Sequence, residues 1–305
     1  MHALMQASGL TKAYGASRGI TDVTFEITEG EVFGFLGPNG AGKTTTMRVL
    51  MGLLRPTAGG ATVGGLDCWR QATELKRLVG YLPGEFSFDP SLTGAQIIAY
   101  LGHLHGGVEH GYVRWLVERL GLDPSKRFRA YSRGNKQKVG LIQAFMHRPR
   151  LLILDEPTSG LDPLNQQEFY TLLSEVHADG RTVFLSSHNL PEVEHTCDRV
   201  GIIREGKLVT VGEVVALKHL KQHEVDLSFA GPASPKWFTR LPGVSNVRSG
   251  LSQGEVHLAV QGELHDVIKV AAEHDATNIV TREPSLEEIF LRFYEPERSP
   301  AAVNW

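Results

Sequence analysis

Residues 37–44 read GPNGAGKT, a complete G-x-x-x-x-G-K-T. The octapeptide follows an apolar run at 32–36 that predicts a buried strand and opens a segment, 43–54, that predicts a helix. Few chains have the local geometry that this order demands. Glycines let the backbone wrap so that successive N–H groups point inward at an anion. The helix start adds unpaired N–H groups and its positive dipole end. Lys43 then reaches the β- and γ-phosphates of a nucleotide, and the Thr44 hydroxyl is available to magnesium. Average residue usage produces the pattern by chance in roughly one chain per hundred of this length, and the strand–loop–helix setting lowers that further.

A second element points to the same chemistry. LLILDEP at 151–157 is four apolar residues followed by two carboxylates. A buried strand of a parallel sheet delivers acids at its C-terminal end to the crevice where such sheets bind ligands. Asp155 suits magnesium, and Glu156 is placed to polarise a water for attack on the γ-phosphate. A further buried strand at 182–186 and a helix at 163–178 complete a strand–helix alternation, which argues for an α/β core with parallel strands. Helical periodicity at 93–105 and 112–120 predicts a helical insertion, bounded at about 88–148.

Composition bounds the remaining options. A formal charge of −3 over 305 residues gives no electrostatic footprint for nucleic acid, so none is expected as a partner. The two cysteines, Cys68 and Cys197, are far apart and read as packing residues in a reducing compartment. The longest apolar runs fall far short of the roughly 20 residues that a membrane-spanning helix needs, and the first residues lack the order of a secretion signal. GHLHGGVEH at 102–110 carries His103, His105 and His110, but its glycines favour a solvated loop over a metal site.

Beyond the two phosphate-site motifs, the order of the remaining ones resembles the nucleotide-binding domain of ATP-binding cassette (ABC) transporters, over roughly residues 4–220. Tyr14 in TKAYG stands where that family has an aromatic residue stacking on adenine. YSRGN at 131–135 stands at the family signature, usually LSGGQ. SGLD at 159–162 matches the dimer-contacting D-loop, and His188 in SSH the switch histidine. The resemblance implies a Mg2+-dependent ATPase whose glycine loop, Gly37, Pro38, Asn39, Gly40, Ala41, Gly42, Lys43, Thr44 and Thr45, holds ATP. Ser132, Gly134 and Asn135, with Asp162, would close over the nucleotide from a second chain, so a homodimer is expected. Lys43, Glu156 and His188 are the expected catalytic groups, and Thr44 and Asp155 the metal-binding ones.

Three departures stand out. Arg133, Asn135 and Tyr131 replace the usual glycine, glutamine and leucine of the signature. YLPGE at 81–85 occupies the Q-loop, with Gly84 at the glutamine position, and Glu85 is the candidate to cover that role. The neighbours of Tyr14 add nothing to base selectivity, which rests on stacking.

The character of the sequence changes near residue 220. Alternation at 224–230, 255–260 and 278–282, with helical stretches at 264–274 and 285–293, predicts a small α+β domain at 222–295 after an ATPase domain at 1–221, and a tail at 296–305. PSLEEIFLRFY at 284–294 resembles the end of exporter ATPases of the drug- and antibiotic-export branch. The expected function is therefore the ATP-hydrolysing motor of an exporter, peripheral on the cytoplasmic face of the membrane and driving a separate multi-helix permease. Phe86, Phe88 and Leu92, just after the Q-loop, are the expected docking residues for that partner. The alternatives are a non-transport ABC ATPase acting on ribosomes or DNA, or a weakly hydrolysing nucleotide-gated subunit.

Overall fold

Five parallel strands and one antiparallel edge strand form the central sheet in a computed structural model, which describes residues 3–15, 17–215, 222–250 and 252–282. The described chain divides after Val214, slightly ahead of the change in sequence character.

In the first unit, β1 (Ala3–Tyr14) and β2 (Ser17–Thr28) form a long antiparallel hairpin, joined by β4 (Ala58–Val63) and β5 (Leu66–Asp67) in the order β2-β1-β4-β5. The central sheet runs β10 (Lys207–Glu213), β9 (Arg199–Arg204), β3 (Val32–Leu36), β8 (Thr182–Ser187), β7 (Leu151–Asp155) and β6 (Val79–Leu82). Every residue of β3, β7 and β8 is buried, as expected of parallel strands covered on both faces. The hairpin sheet packs on one face through Phe25, whose ring lies 5.6 Å from those of Phe33, Phe35 and Phe184. On the other side, α3 (Gly94–Leu104), α4 (His110–Arg119), α5 (Arg133–Phe145) and α6 (Pro163–Ala178) enclose a second core built on Leu116, Phe145 and Phe169.

The predicted strands and helices of this unit are found, with shifted ends. Helix α1 spans Lys43–Leu50 and does not continue to 54. Gly52 stops it: its φ of +64° is left-handed, and a Cβ there would lie 2.3 Å from the Cys68 carbonyl oxygen. A capping box of Thr93 and Gln96 fixes the start of α3. Helices α2 (Ala72–Leu78) and α7 (Leu190–Thr196) complete the unit.

Phe86, Phe88 and Leu92 pack on the helical core of their own chain. Phe88 meets Phe128 edge to face at 5.5 Å, and the Phe86 ring lies against Gly140 of α5. All three stay half-buried, so this packing uses part of each side chain. Cys68 is buried, and its thiol is pushed up to about 12 by that burial; Cys197 packs its sulfur against Gly34. His105 stacks on His147 at 3.8 Å, His103 Nδ1 bonds the Ala99 carbonyl within α3, and His110 is the first residue of α4. Among the described residues no group of three His, Cys, Asp or Glu side chains is placed to hold a metal ion, and no helix is long and apolar enough to cross a membrane.

The second unit contains β11 (Gln222–Phe229), β12 (Val244–Ser249), β13 (Glu255–Gln261), α8 (His265–Glu273) and β14 (Ala276–Arg282). Its sheet is antiparallel in the order β12-β13-β11-β14, and α8 buries Val267 and Ala271 against Val225, Leu227 and Leu258. The helix expected at 285–293, the 296–305 tail and the PSLEEIFLRFY stretch lie outside the described residues.

Candidate nucleotide site

Four neighbouring parallel strands end at one edge of the sheet, and each hands over to a loop carrying polar residues. Leu36 leads into the glycine loop, Asp155 into Glu156, Ser187 into His188 and Leu82 into the Pro83–Gly84–Glu85 turn. The registers Leu36↔Ser187 and Asp155↔Ser186 bring these ends level. Such a crevice at the carboxyl end of parallel strands is where an α/β sheet binds ligand.

The glycine loop is held from outside. The Gly37 amide donates to the Ser187 carbonyl (3.2 Å), and the Ala41 carbonyl accepts from the Gly206 amide (2.9 Å). Gly42 has a φ of +110°, and a Cβ there would lie 2.7 Å from Ile20, so only glycine fits. Helix α1 begins directly after it with no side chain capping its first turn and no acid within it. Its leading N–H groups, with Thr44 and Thr45 beside them, remain available to an anion. Pro38, Asn39 and Gly40 form the exposed rim, while Ala41 is buried.

Lys43 is buried, and its ammonium donates to the carbonyls of Gly37 (2.6 Å) and Pro38 (3.2 Å) and pairs with Glu156 Oε1 (3.1 Å). The other carboxylate oxygen of Glu156 accepts from His188 Nδ1 at 2.7 Å. Three expected catalytic groups from three different loops thus meet at one carboxylate. Glu156 holds a left-handed backbone, φ +52°, which is uncommon for a residue with a side chain. Its surroundings enforce it: the amide donates to Ser186 Oγ (3.0 Å), and the carbonyl accepts from Gln137 Nε2 (3.1 Å) and the Ser159 amide (3.1 Å).

Asp155 is fully buried. Its Oδ1 accepts from Ser186 Oγ (2.5 Å), whereas Oδ2 has no hydrogen-bond partner among the described residues. A buried carboxylate oxygen left unpaired is costly, and a hard cation satisfies it. One carboxylate with a nearby hydroxyl is the donor set that magnesium takes when phosphates supply the rest. The residues present fit that ion.

The Q-loop departs from expectation in detail. Gly84 faces Asp155, with a Cβ there falling 3.0 Å from Oδ2. Glu85 is exposed and makes no hydrogen bond or ion pair among the described residues. The structure therefore does not bring Glu85 to the carboxylates. Tyr14 is 42% exposed at the tip of the β1–β2 hairpin. Gly19 packs on its ring, and the next residue, Ile20, packs on Gly42 of the glycine loop.

The signature residues lie on the exposed start of α5. Ser132 is the N-cap and accepts from the Asn135 amide (3.3 Å), so the preference of serine for that position places its hydroxyl. Gly134 packs on the backbone of Gly160, leaving no room for a Cβ, which would sit 2.6 Å from the Gly160 oxygen. Tyr131 points inward, and its hydroxyl donates to the Asp123 carbonyl (2.6 Å), which explains an aromatic residue in place of leucine. Asp162 caps α6 by accepting from the Asn165 amide (3.0 Å), and that bond holds its carboxyl below the usual range.

Sequence reasoning missed Ser186, Gln137 and Glu192. Ser186 joins Asp155 to the Glu156 backbone; Glu192, buried behind Ser187, bonds its hydroxyl, and burial raises its carboxyl pKa. Gln137 carried a signal: it is a polar residue on the buried face of α5, beside the apolar run at 139–142.

A family profile described as "ABC transporter" matches residues 20–159. The chain is 32% identical to a bacitracin transport ATP-binding protein, BcrA of Bacillus licheniformis, over 96% of its own length and 97% of the relative's. It is 29% identical to a linearmycin resistance ATP-binding protein, LnrL of Bacillus subtilis, with 94% and 97% covered. A solved ATP-binding subunit of an ABC transporter superposes with a TM-score of 0.65 at 29% identity, covering 71% of this chain and 92% of that one.

Proposed function

Since this chain belongs to the ABC transporter family as an ATP-binding subunit, we propose that it is the ATP-hydrolysing motor of an exporter that drives a separate membrane permease. The convergence of Lys43, Glu156 and His188 at the sheet edge carries this reading. The glycine loop and the α1 N-terminus bind the phosphates, and Lys43 exchanges its carbonyl and carboxylate partners for β- and γ-phosphate oxygens. Tyr14 stacks on the base. Thr44 and Asp155 would hold magnesium, which when bound would neutralise charge on the phosphates. Glu156 orients and deprotonates the attacking water, while His188, hydrogen-bonded to it, fixes the carboxylate and faces the γ-phosphate.

In this reading the outer side of that phosphate takes its donors from a second copy. Ser132, Gly134 and Asn135 are exposed or half-buried at a helix start, which suits delivery to the nucleotide of a second copy. Two sites are then shared between two chains, closing on ATP and opening after hydrolysis. Export of an antibiotic or drug is supported by the names of the relatives.

A cysteine pair tests the arrangement. With Asn39→Cys and Ser132→Cys in one chain, oxidation in the presence of ATP and magnesium should yield a disulfide-linked dimer on a non-reducing gel. The protein with only its native cysteines should remain monomeric. Crosslinking confined to single chains would exclude sites shared between copies.

A further inference from the structure

The start of α5 is fastened to the turn that follows Glu156 in the same chain. Arg133 Nη2 donates to Ser159 Oγ at 2.8 Å. The aliphatic part of Arg133 lies over Gly160, where a Cβ would fall 2.9 Å from Cγ. Gly134 and Gly160 touch backbone to backbone. One turn further on, buried Gln137 donates from its amide to the carbonyls of Glu156 (3.1 Å) and Pro157 (2.9 Å). Both protons of one amide are used on consecutive carbonyls, so the orientation of α5 relative to the turn is fixed at two levels. The arginine that departs from the glycine of the signature supplies the outer one.

We propose that Arg133 and Gln137 are positioning residues that hold Ser132 at a set distance from the Glu156–Leu161 turn of its own chain. The inference rests on the shared-site reading above, in which Ser132 and Glu156 of one chain serve opposite nucleotides. A rigid link between them makes the state of one site set the placement of the serine at the other. Assembly depends on that placement, because Ser132 has to reach the partner's nucleotide. The Arg133 bond is at the surface and contributes little to stability; its effect is on geometry. Gln137 is different, because its loss takes the donor from the buried Pro157 carbonyl and leaves the Glu156 carbonyl with the Ser159 amide alone.

The experiment uses the full chain in a Glu156→Gln background, where hydrolysis is removed and only assembly is read. The dissociation constant of the dimer formed in ATP and magnesium is measured by sedimentation, and monomer affinity by a fluorescent ATP analogue. Gln137→Met, Arg133→Ala and Ser159→Ala should each raise the dimer constant about tenfold, the equivalent of about 1.4 kcal/mol, with monomer affinity unchanged. Arg133→Lys, which keeps a donor, should recover most of the loss. Arg133→Ala combined with Ser159→Ala should be no worse than either alone, because both remove one contact. Dimer constants unchanged in all three variants would overturn the proposal. So would an effect of Arg133→Ala that Ser159→Ala does not share, which would mean the arginine acts directly on the partner's nucleotide. Should Gln137→Met fail to fold, the half-buried Ser159 pair carries the test alone. Absence of any ATP-dependent dimer in the background protein would instead sink the shared-site reading itself.

Discussion

Glu156→Gln is expected to lower kcat by about 10²–10⁴-fold, the loss typical of a positioned general base, while ATP still binds. The amide is isosteric: its oxygen stays with Lys43 and its NH2 turns to His188, whose Nδ1 accepts in the tautomer protonated at Nε2, so the three-loop cluster persists. What disappears is the proton acceptor. Removing the negative charge 3.1 Å from the Lys43 ammonium also frees that ammonium for phosphate, so ATP affinity should hold or rise slightly. Phosphate release measured beside equilibrium ATP binding checks both halves. Near-normal turnover would remove Glu156 from its role and leave the strained φ of +52° without a catalytic reason.

Lys43→Ala should fail in the opposite manner, at binding. A charged hydrogen bond to an ionised partner is worth about 1.5–3 kcal/mol, so ATP affinity should fall by about ten- to a hundredfold. The change also strips the counter-ion from Glu156 and the donor from the carbonyls of Gly37 and Pro38. With phosphate charge less compensated and the general base misplaced, turnover should be undetectable even at saturating nucleotide. Titration with a fluorescent ATP analogue reads the affinity directly. Unchanged affinity would require another residue to supply the positive charge, and the phosphate assignment to Lys43 would be withdrawn.

Contiguous motifs were the legible part of the site. GPNGAGKT and LLILDEP each place their chemistry through local geometry, a loop entering a helix and a strand ending at a sheet edge, and both lie where that logic puts them. The central strands were legible because parallel strands buried on both faces are continuous apolar runs. The hairpin β1–β2 was harder to read, since its residues alternate only in part and its register shifts several times. Glu85 shows the limit of one-residue placement in a turn: Gly84 faces the buried aspartate and its neighbour faces solvent. Phe86 and Phe88 have the composition of a docking patch and equally of core, and their half-buried rings pack in part on the chain's own helical core. Composition cannot separate those cases, because an apolar side chain lowers its free energy equally well against either partner. Ser186 bonds the Asp155 side chain and the Glu156 amide, 31 and 30 positions away, and Gln137 bonds carbonyls 19 and 20 away; the sequence marks Gln137 as a polar residue beside an apolar run but does not give the partners of either.

The central claim is that two copies of this chain share each nucleotide, and the mass of the Glu156→Gln protein in solution tests it. Light scattering should give a monomer without nucleotide and a dimer with ATP and magnesium. Adding Ser132→Arg, which places a bulky cation at the N-cap that faces the partner's phosphate, should return the mass to that of a monomer in ATP while nucleotide still binds. A chain that stays monomeric in ATP, or a dimer indifferent to both ATP and Ser132, would contradict the account.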